Sequence, residues 1–150
     1  MTTDAEAIAR TALRRGITVA VAESLTGGGL AQALAAAPDA SEWFAGGVVA
    51  YTVRTKARVL GVPDGPVVTA PTARQMAEGV RELLGADIAA AVTGVGGPGD
   101  EEGRPPGTVF LAIVTADSAR ITEFAFDGDP ASVVAQTVDA TLHELRVDLG

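Results

Sequence analysis

Apolar positions follow two rhythms along this chain. Over Asp4 to Arg15 they recur every three or four residues, with Ile8, Ala12 and Leu13 on one side and Arg10, Arg14 and Arg15 on the other. That period predicts an amphipathic helix, stopped by Gly16. Thr18 to Ala22 is a β-branched apolar run and predicts a strand. The helical rhythm returns at Leu30 and runs to about Ala36, where Pro38-Asp39 breaks it. Ser41 to Phe44 forms one short turn. Gly46 to Tyr51 predicts a second strand, and Thr52 to Leu60 a short helix closed by Gly61. After the turn cluster Pro63-Asp64-Gly65-Pro66, Thr69 is an N-cap, with Pro71 in the first turn of a helix reaching Leu84. Its inward stripe is Ala73, Met76, Ala77, Val80 and Leu84, and Gly85 ends it.

Ile88 to Val92 is apolar throughout, as in a central strand buried on both faces. Residues 94–107 are rich in Gly, Pro and acids and predict a loop. Thr108 to Thr115 and Arg120 to Phe126 are two further strands, joined as a hairpin through Ala116 to Ala119. The last helix spans Pro130 to about Arg146. Strands alternating with helices, with one late hairpin, predict a single α/β domain over residues 1–150. The expected architecture is a three-layer α/β/α sandwich around a mixed, mostly parallel sheet.

Composition narrows the chemistry. The net charge of −8 argues against a nucleic-acid or anionic-membrane surface, both of which call for a basic face. There is no Cys, which removes disulfides, thiolate catalysis and Cys-based metal sites. The single His, His143, falls inside the last helix and reads as a surface or packing residue. No metal and no cofactor is expected. No apolar run approaches a membrane span, and no basic–apolar leader opens the chain, so a cytoplasmic location is expected.

Candidate chemistry gathers where strands end. The first strand stops at Glu23, and Ser24, Thr26 and Gly27 to Gly29 follow before a helix begins. A nucleophile-grade hydroxyl, glycine amides and a helix start suit a small anionic or carbonyl-bearing ligand. Ser24 also fits a plain helix cap, and Glu23 fits a strand-end cap or an Arg partner. Ten of the eleven basic residues are Arg, and the one Lys is Lys56, just beyond Tyr51. Lys, unlike Arg, can lose its proton near neutral pH when buried. Gly94-Val95-Gly96-Gly97-Pro98-Gly99 matches the dinucleotide fingerprint in form only, since Asp100-Glu101-Glu102 follows and no helix opens there. A ligand-covering loop and a solvated loop without a role both remain open. Ser24, Tyr51 with Lys56, and Thr93 with Gly94 all lie just past strand ends. In open α/β sheets that edge is where ligands bind.

These blocks together resemble the CinA C-terminal domain family, the nicotinamide-nucleotide amidohydrolases. The resemblance covers about Ala5 to Leu145. It rests on Val21-Ala22-Glu23-Ser24-Leu25-Thr26-Gly27-Gly28, on Trp43 to Tyr51 with Lys56 and Leu60-Gly61-Val62, and on Met76 to Gly79. Gly85-Ala86-Asp87, Thr93-Gly94 with Gly97-Pro98, and Pro106 to Val109 complete it. It implies hydrolysis of the carboxamide of nicotinamide mononucleotide to nicotinate mononucleotide and ammonia. It also implies a serine nucleophile and a lysine partner, mapping onto Ser24 and Lys56. Tyr51 is then expected to orient Lys56 or the carboxamide, and the amides of Thr26, Gly27 and Gly28 to hold the developing oxyanion. Glu23, Thr93, Gly94, Gly97 and Arg104 are expected at the nucleotide. A small-molecule partner, a homo-oligomer and the stand-alone form of the domain are expected.

The chain departs from the family at three places. Where the family commonly reads Ser-Asn-x-x-Lys after the tyrosine, this chain has Val53 in the amide position. Where it commonly reads Gly-Asp-Arg-x-x-Val-Arg, this chain has Pro130 and Val134 in place of both arginines. Three readings therefore stand: the family's amidohydrolase, a hydrolase of another small amide, and a catalytically silent nucleotide-binding module.

Overall fold

The computed structural model describes all residues from Met1 to Gly150. Thr3 opens α1 (Asp4–Arg15) with a reciprocal capping box to Glu6, and Gly16 closes it in the left-handed conformation. Then follow β1 (Val19–Glu23), α2 (Gly29–Ala35), the one-turn α3 (Ala40–Trp43) and β2 (Phe44–Val49). The chain continues through α4 (Val53–Leu60), α5 (Ala70–Leu84), β3 (Ile88–Gly94), β4 (Thr108–Val114), β5 (Ala119–Ala125) and α6 (Pro130–Leu149).

The strands form one sheet in the order β2-β1-β3-β4-β5. β1 pairs in parallel with both β2 and β3, whereas β4 runs antiparallel to β3 and to β5. Four strands thus point one way and β4 the other. The sheet is mixed because a tight hairpin can join only antiparallel strands, and β4 and β5 are joined by one.

Side-chain alternation divides the core in two. Val19 and Val21 of β1, Ile88 and Val92 of β3, and Val109, Leu111 and Ile113 of β4 face α1, α2 and α6. Ala20, Ala22, Ala89, Ala91 and Ala112 face the other way, onto α5 with its stripe of Ala73, Met76, Ala77 and Val80. Large residues on one face and alanines on the other seat three helices on one layer and one close-packed helix on the second. Leu13, expected inward on α1, is over a third exposed (37%), because its neighbours α3 and α6 cover only the Ile8–Ala12 side.

Two boundaries matter for the site. β2 begins at Phe44 and ends at Val49, so Tyr51 lies beyond the strand rather than closing it. Gly79 of α5 lies against the backbone of Leu60, the last residue of α4, where a Cβ would collide with the Leu60 carbonyl. That close approach seats α4 over the carboxyl end of β1. α2, α4, α5 and α6 all begin at this same end of the sheet, since each runs antiparallel to the strand it follows or precedes.

Candidate active site

Lys56 lies in the middle of α4, one turn before Leu60, and both are buried. Helical spacing points residues four apart to the same side, so an inward-facing Leu60 takes Lys56 inward with it. The side chain of Lys56 is only 2% exposed. Its Nζ lies 2.8 Å from Ser24 Oγ and donates to the Tyr51 carbonyl at 3.1 Å. Burial drives the amine's pKa down, and the nearby carboxylates of Glu101 and Glu102 oppose this in part. Ser24 is itself 6% exposed, on the turn that leaves β1. A buried amine with a lowered proton affinity, against a serine hydroxyl, is an arrangement able to serve as base and nucleophile.

Tyr51 acts here through its backbone. Its carbonyl fixes the amine, while its ring is 66% exposed and its phenol makes no hydrogen bond within the chain. Orientation of Lys56 by Tyr51 is thus met by a main-chain atom.

Glu23 does not face a ligand. It is 1% exposed, and its carboxylate accepts the amides of Gly28 at 3.3 Å, Leu30 at 2.8 Å and Ala31 at 2.9 Å. It caps α2, whose first amides would otherwise be unpaired beside a buried charge. This corrects the expectation that Gly27 and Gly28 supply oxyanion donors. The Gly27 amide bonds the Ser24 carbonyl and the Gly28 amide bonds Glu23. The amides of Leu25 and Thr26 bond no group of the chain, and Thr26 Oγ1 is buried without a partner. Of the three expected donors only the Thr26 amide is free, and the Leu25 amide beside it is free as well.

The expected nucleotide contacts also have structural work. Thr93 Oγ1 donates to the Val67 carbonyl at 2.8 Å. Gly94 pairs with Val109, where a Cβ would stand 2.5 Å from the Thr108 carbonyl. Gly97 packs against Pro106, 2.9 Å from where its Cβ would be. Arg104 lays its guanidinium over the Phe110 ring, 5.0 Å from the centroid. Residues 94–107 are a tethered loop. The Glu102 carboxylate clasps the Val67 amide at 2.8 Å and the Val68 amide at 2.9 Å, and Glu101 and Arg104 pair through their backbones. Glu102 adopts a left-handed φ of 52°, a conformation that costs a residue with a Cβ about 1–2 kcal/mol. Sequence reasoning missed this clasp, and no local signal marks it.

His143 is exposed on α6, with Nδ1 4.0 Å from an Asp4 carboxylate oxygen. No cluster of three or more His, Asp or Glu side chains suited to a metal occurs. No helix is long and apolar enough to cross a membrane. A cleft of about 470 Å³, lined by Arg74, Arg81 and the 115–118 turn, lies at the opposite end of the sheet from Ser24.

An α/β sandwich with a buried Ser–Lys pair at the carboxyl edge of its sheet is the class these observations define. The family model of the CinA C-terminal domain matches residues 1–149, and the chain belongs to that family. It is 45% identical over 132 residues to a putative competence-damage inducible protein of Desulforamulus reducens, covering 85% of this chain and 32% of that one. It is 37% identical over 146 residues to a CinA-like protein of Geobacter sulfurreducens, covering 93% and 35%. The chain thus spans about a third of the length of these relatives. Among solved structures, a CinA superfamily protein from Klebsiella pneumoniae superposes with a TM-score of 0.93 at 36% identity, covering 97% of this chain and 95% of that one. A competence/damage inducible protein from Agrobacterium tumefaciens superposes with a TM-score of 0.86 at 32% identity, covering 99% and 97%.

Proposed function

We propose that this chain hydrolyses the C–N bond of a nicotinamide-type carboxamide, with Ser24 as nucleophile and Lys56 as proton carrier. The observation that carries the reading is the buried Lys56 amine 2.8 Å from Ser24 Oγ. Neutral Lys56 takes the Ser24 proton as Oγ bonds to the carboxamide carbon, while the Tyr51 carbonyl keeps the amine aimed. The carbonyl oxygen gains negative charge, and the unpaired Leu25 and Thr26 amides are the donors left on the turn to meet it. Lys56 then returns the proton to the departing nitrogen, releasing ammonia and leaving an acyl ester on Ser24. Water attacks that ester, Lys56 takes the water's proton, and Ser24 leaves with it. The products are a carboxylate and the restored pair.

The resemblance of the Glu23 to Gly28 and Trp43 to Lys56 blocks supports nicotinamide mononucleotide as the reference substrate. Incubation of the purified protein with that compound, with ammonia and the carboxylate product both measured, tests the reading. Stoichiometric release that disappears in Ser24→Ala supports it. Release that persists unchanged in Ser24→Ala overturns it.

A further inference from the structure

Residues 94–107 form an arch with both feet on Val67. At one foot Thr93, the residue before the loop, donates its Oγ1 to the Val67 carbonyl at 2.8 Å. At the other, the Glu102 carboxylate accepts the Val67 amide at 2.8 Å and the Val68 amide at 2.9 Å. Val95 is held in addition by main-chain bonds to Thr108 and Gly107. Between these anchors the chain from Gly96 to Asp100 gives no main-chain N–H to any group of the protein.

The free amides of Gly96 and Gly97 lie where the arch meets the site. A Cβ at Gly96 would stand 3.9 Å from the Cβ of Leu25, the residue after Ser24. On that turn the Leu25 and Thr26 amides are free too, and Thr26 Oγ1 is buried without a partner. Unpaired main-chain donors thus lie on two adjacent segments, one following Ser24 and one on the arch. Such donors assist a reaction only if they are held where charge develops. Those of the turn are held between β1 and the Glu23 cap of α2. The arch has no such support of its own, since Gly96, Gly97 and Gly99 bring no side chain to pack and a wide choice of backbone conformations. Its far foot is fixed by Glu102, which takes up a left-handed φ of 52° to do so.

Resting on the amidohydrolase reading above, we propose that Glu102 is a positioning residue for the Ser24–Lys56 site. By clasping Val67 and Val68 its carboxylate holds the free amides of Gly96 and Gly97 against the Ser24 turn, so that the carbonyl under attack is met by main-chain donors from two segments.

The test uses the full chain and phenylmethanesulfonyl fluoride, whose sulfonyl oxygens gain charge as a carbonyl oxygen does. Ser24 Oγ bonds to sulfur, fluoride leaves, and the Ser24 proton passes to Lys56. The rate is read by mass as the sulfonyl group added to Ser24, with Ser24→Ala as the blank. Glu102→Ala should slow labelling by about ten- to a hundredfold, less than outright removal of an oxyanion donor because the arch still samples its place. Glu102→Asn, which is shorter but at ease in the left-handed region, should do the same. Glu102→Gln should stay within about threefold of wild type, because the one oxygen at the place of Oε1 reaches both amides, at 3.1 and 2.9 Å. Ammonia release from nicotinamide mononucleotide should follow the same order, with the loss in kcat rather than KM. Hydrogen exchange at Val67 and Val68 should quicken in Glu102→Ala and not in Glu102→Gln.

A lower melting temperature in Glu102→Ala and Glu102→Asn, with Ser24 labelled at the wild-type rate in the folded protein, overturns the proposal, since the clasp would then serve stability alone. Equal slowing by Glu102→Ala and Glu102→Gln also overturns it, since charge rather than the clasp would then matter. The expected order of labelling, with no ammonia from any of the proteins, sinks the amidohydrolase reading and leaves the positioning role standing.

Discussion

Lys56 donates to the carbonyl of Tyr51, five residues before it, at 3.1 Å. The bond spans the turn between β2 and α4, so the same short segment that starts the helix also aims its lysine. A lysine on a solvated helix would sample many rotamers. This one has a fixed acceptor on one side and Ser24 on the other.

Lys56→Arg keeps a cation in α4 but supplies no neutral amine near pH 7. Turnover should fall by roughly 10²–10⁴-fold, the range typical of lost general acid–base catalysis. Retention of most activity, measured by steady-state ammonia release, would make Lys56 a charge anchor.

The pH dependence follows from the lowered proton affinity of Lys56. In the proposed reaction Lys56 acts when neutral, so kcat/KM should rise with pH through a limb set by Lys56, below the range of an exposed lysine. The stability effect has a definite sign. The unfolded chain binds the Lys56 proton more tightly than the folded one, so stability rises with pH between the folded and the unfolded pKa. Below both, the full cost of burying the charge is present. Lys56→Met removes it and should raise the melting temperature at neutral pH, by about 2–4 °C for each kcal/mol recovered. A calorimetric scan showing a lower melting temperature for Lys56→Met would contradict this.

Glu23 is a structural cap beside Ser24. Glu23→Ala leaves three helix amides without their acceptor and should destabilise the chain by about 2–4 kcal/mol, from the loss of a buried charge-assisted cap. Glu23→Gln retains one acceptor oxygen and should fall between. Denaturant titration of the two variants checks the order. A Glu23→Ala protein as stable as wild type would show that the cap carries no weight.

Pro130 and Val134 stand where the resemblance places two arginines. Pro130→Arg with Val134→Arg adds two cations at the start of α6, beside Gly97, whose Cβ position is 4.0 Å from the Pro130 ring. The KM for nicotinamide mononucleotide should drop by about ten- to a hundredfold if even one of them reaches the phosphate. The KM for nicotinamide riboside, measured in parallel, should not follow it.

Periodicity made most of the fold legible. The helices over 4–15 and 70–84 come from apolar stripes with caps at both ends, and the two faces of the sheet from the alternation Val19-Ala20-Val21-Ala22. The Ser24–Lys56 pair was legible because Lys56 is the one lysine and both residues follow strand ends. What surrounds the pair was not. The bonds of Glu23, Tyr51 and Glu102 run from a side chain to a main chain, or the reverse, and that of Glu102 bridges segments brought together only by tertiary packing. The partners 102 and 67 lie 35 residues apart, and nothing local in either segment encodes that pairing. For Glu23 a signal existed, since an acid just before a glycine-rich helix start suits the helix dipole.

Gly79 touches neither Ser24 nor Lys56, yet the reach of the lysine depends on it. Because α5 leans on the last carbonyl of α4 at that point, even a methyl group at 79 would tilt α4 away and swing its buried amine off the serine. The alignment of the Ser24–Lys56 pair is thus inherited from the thickness of a helix–helix seam. A family member could lose its chemistry at a position that no inspection of the catalytic groups would flag.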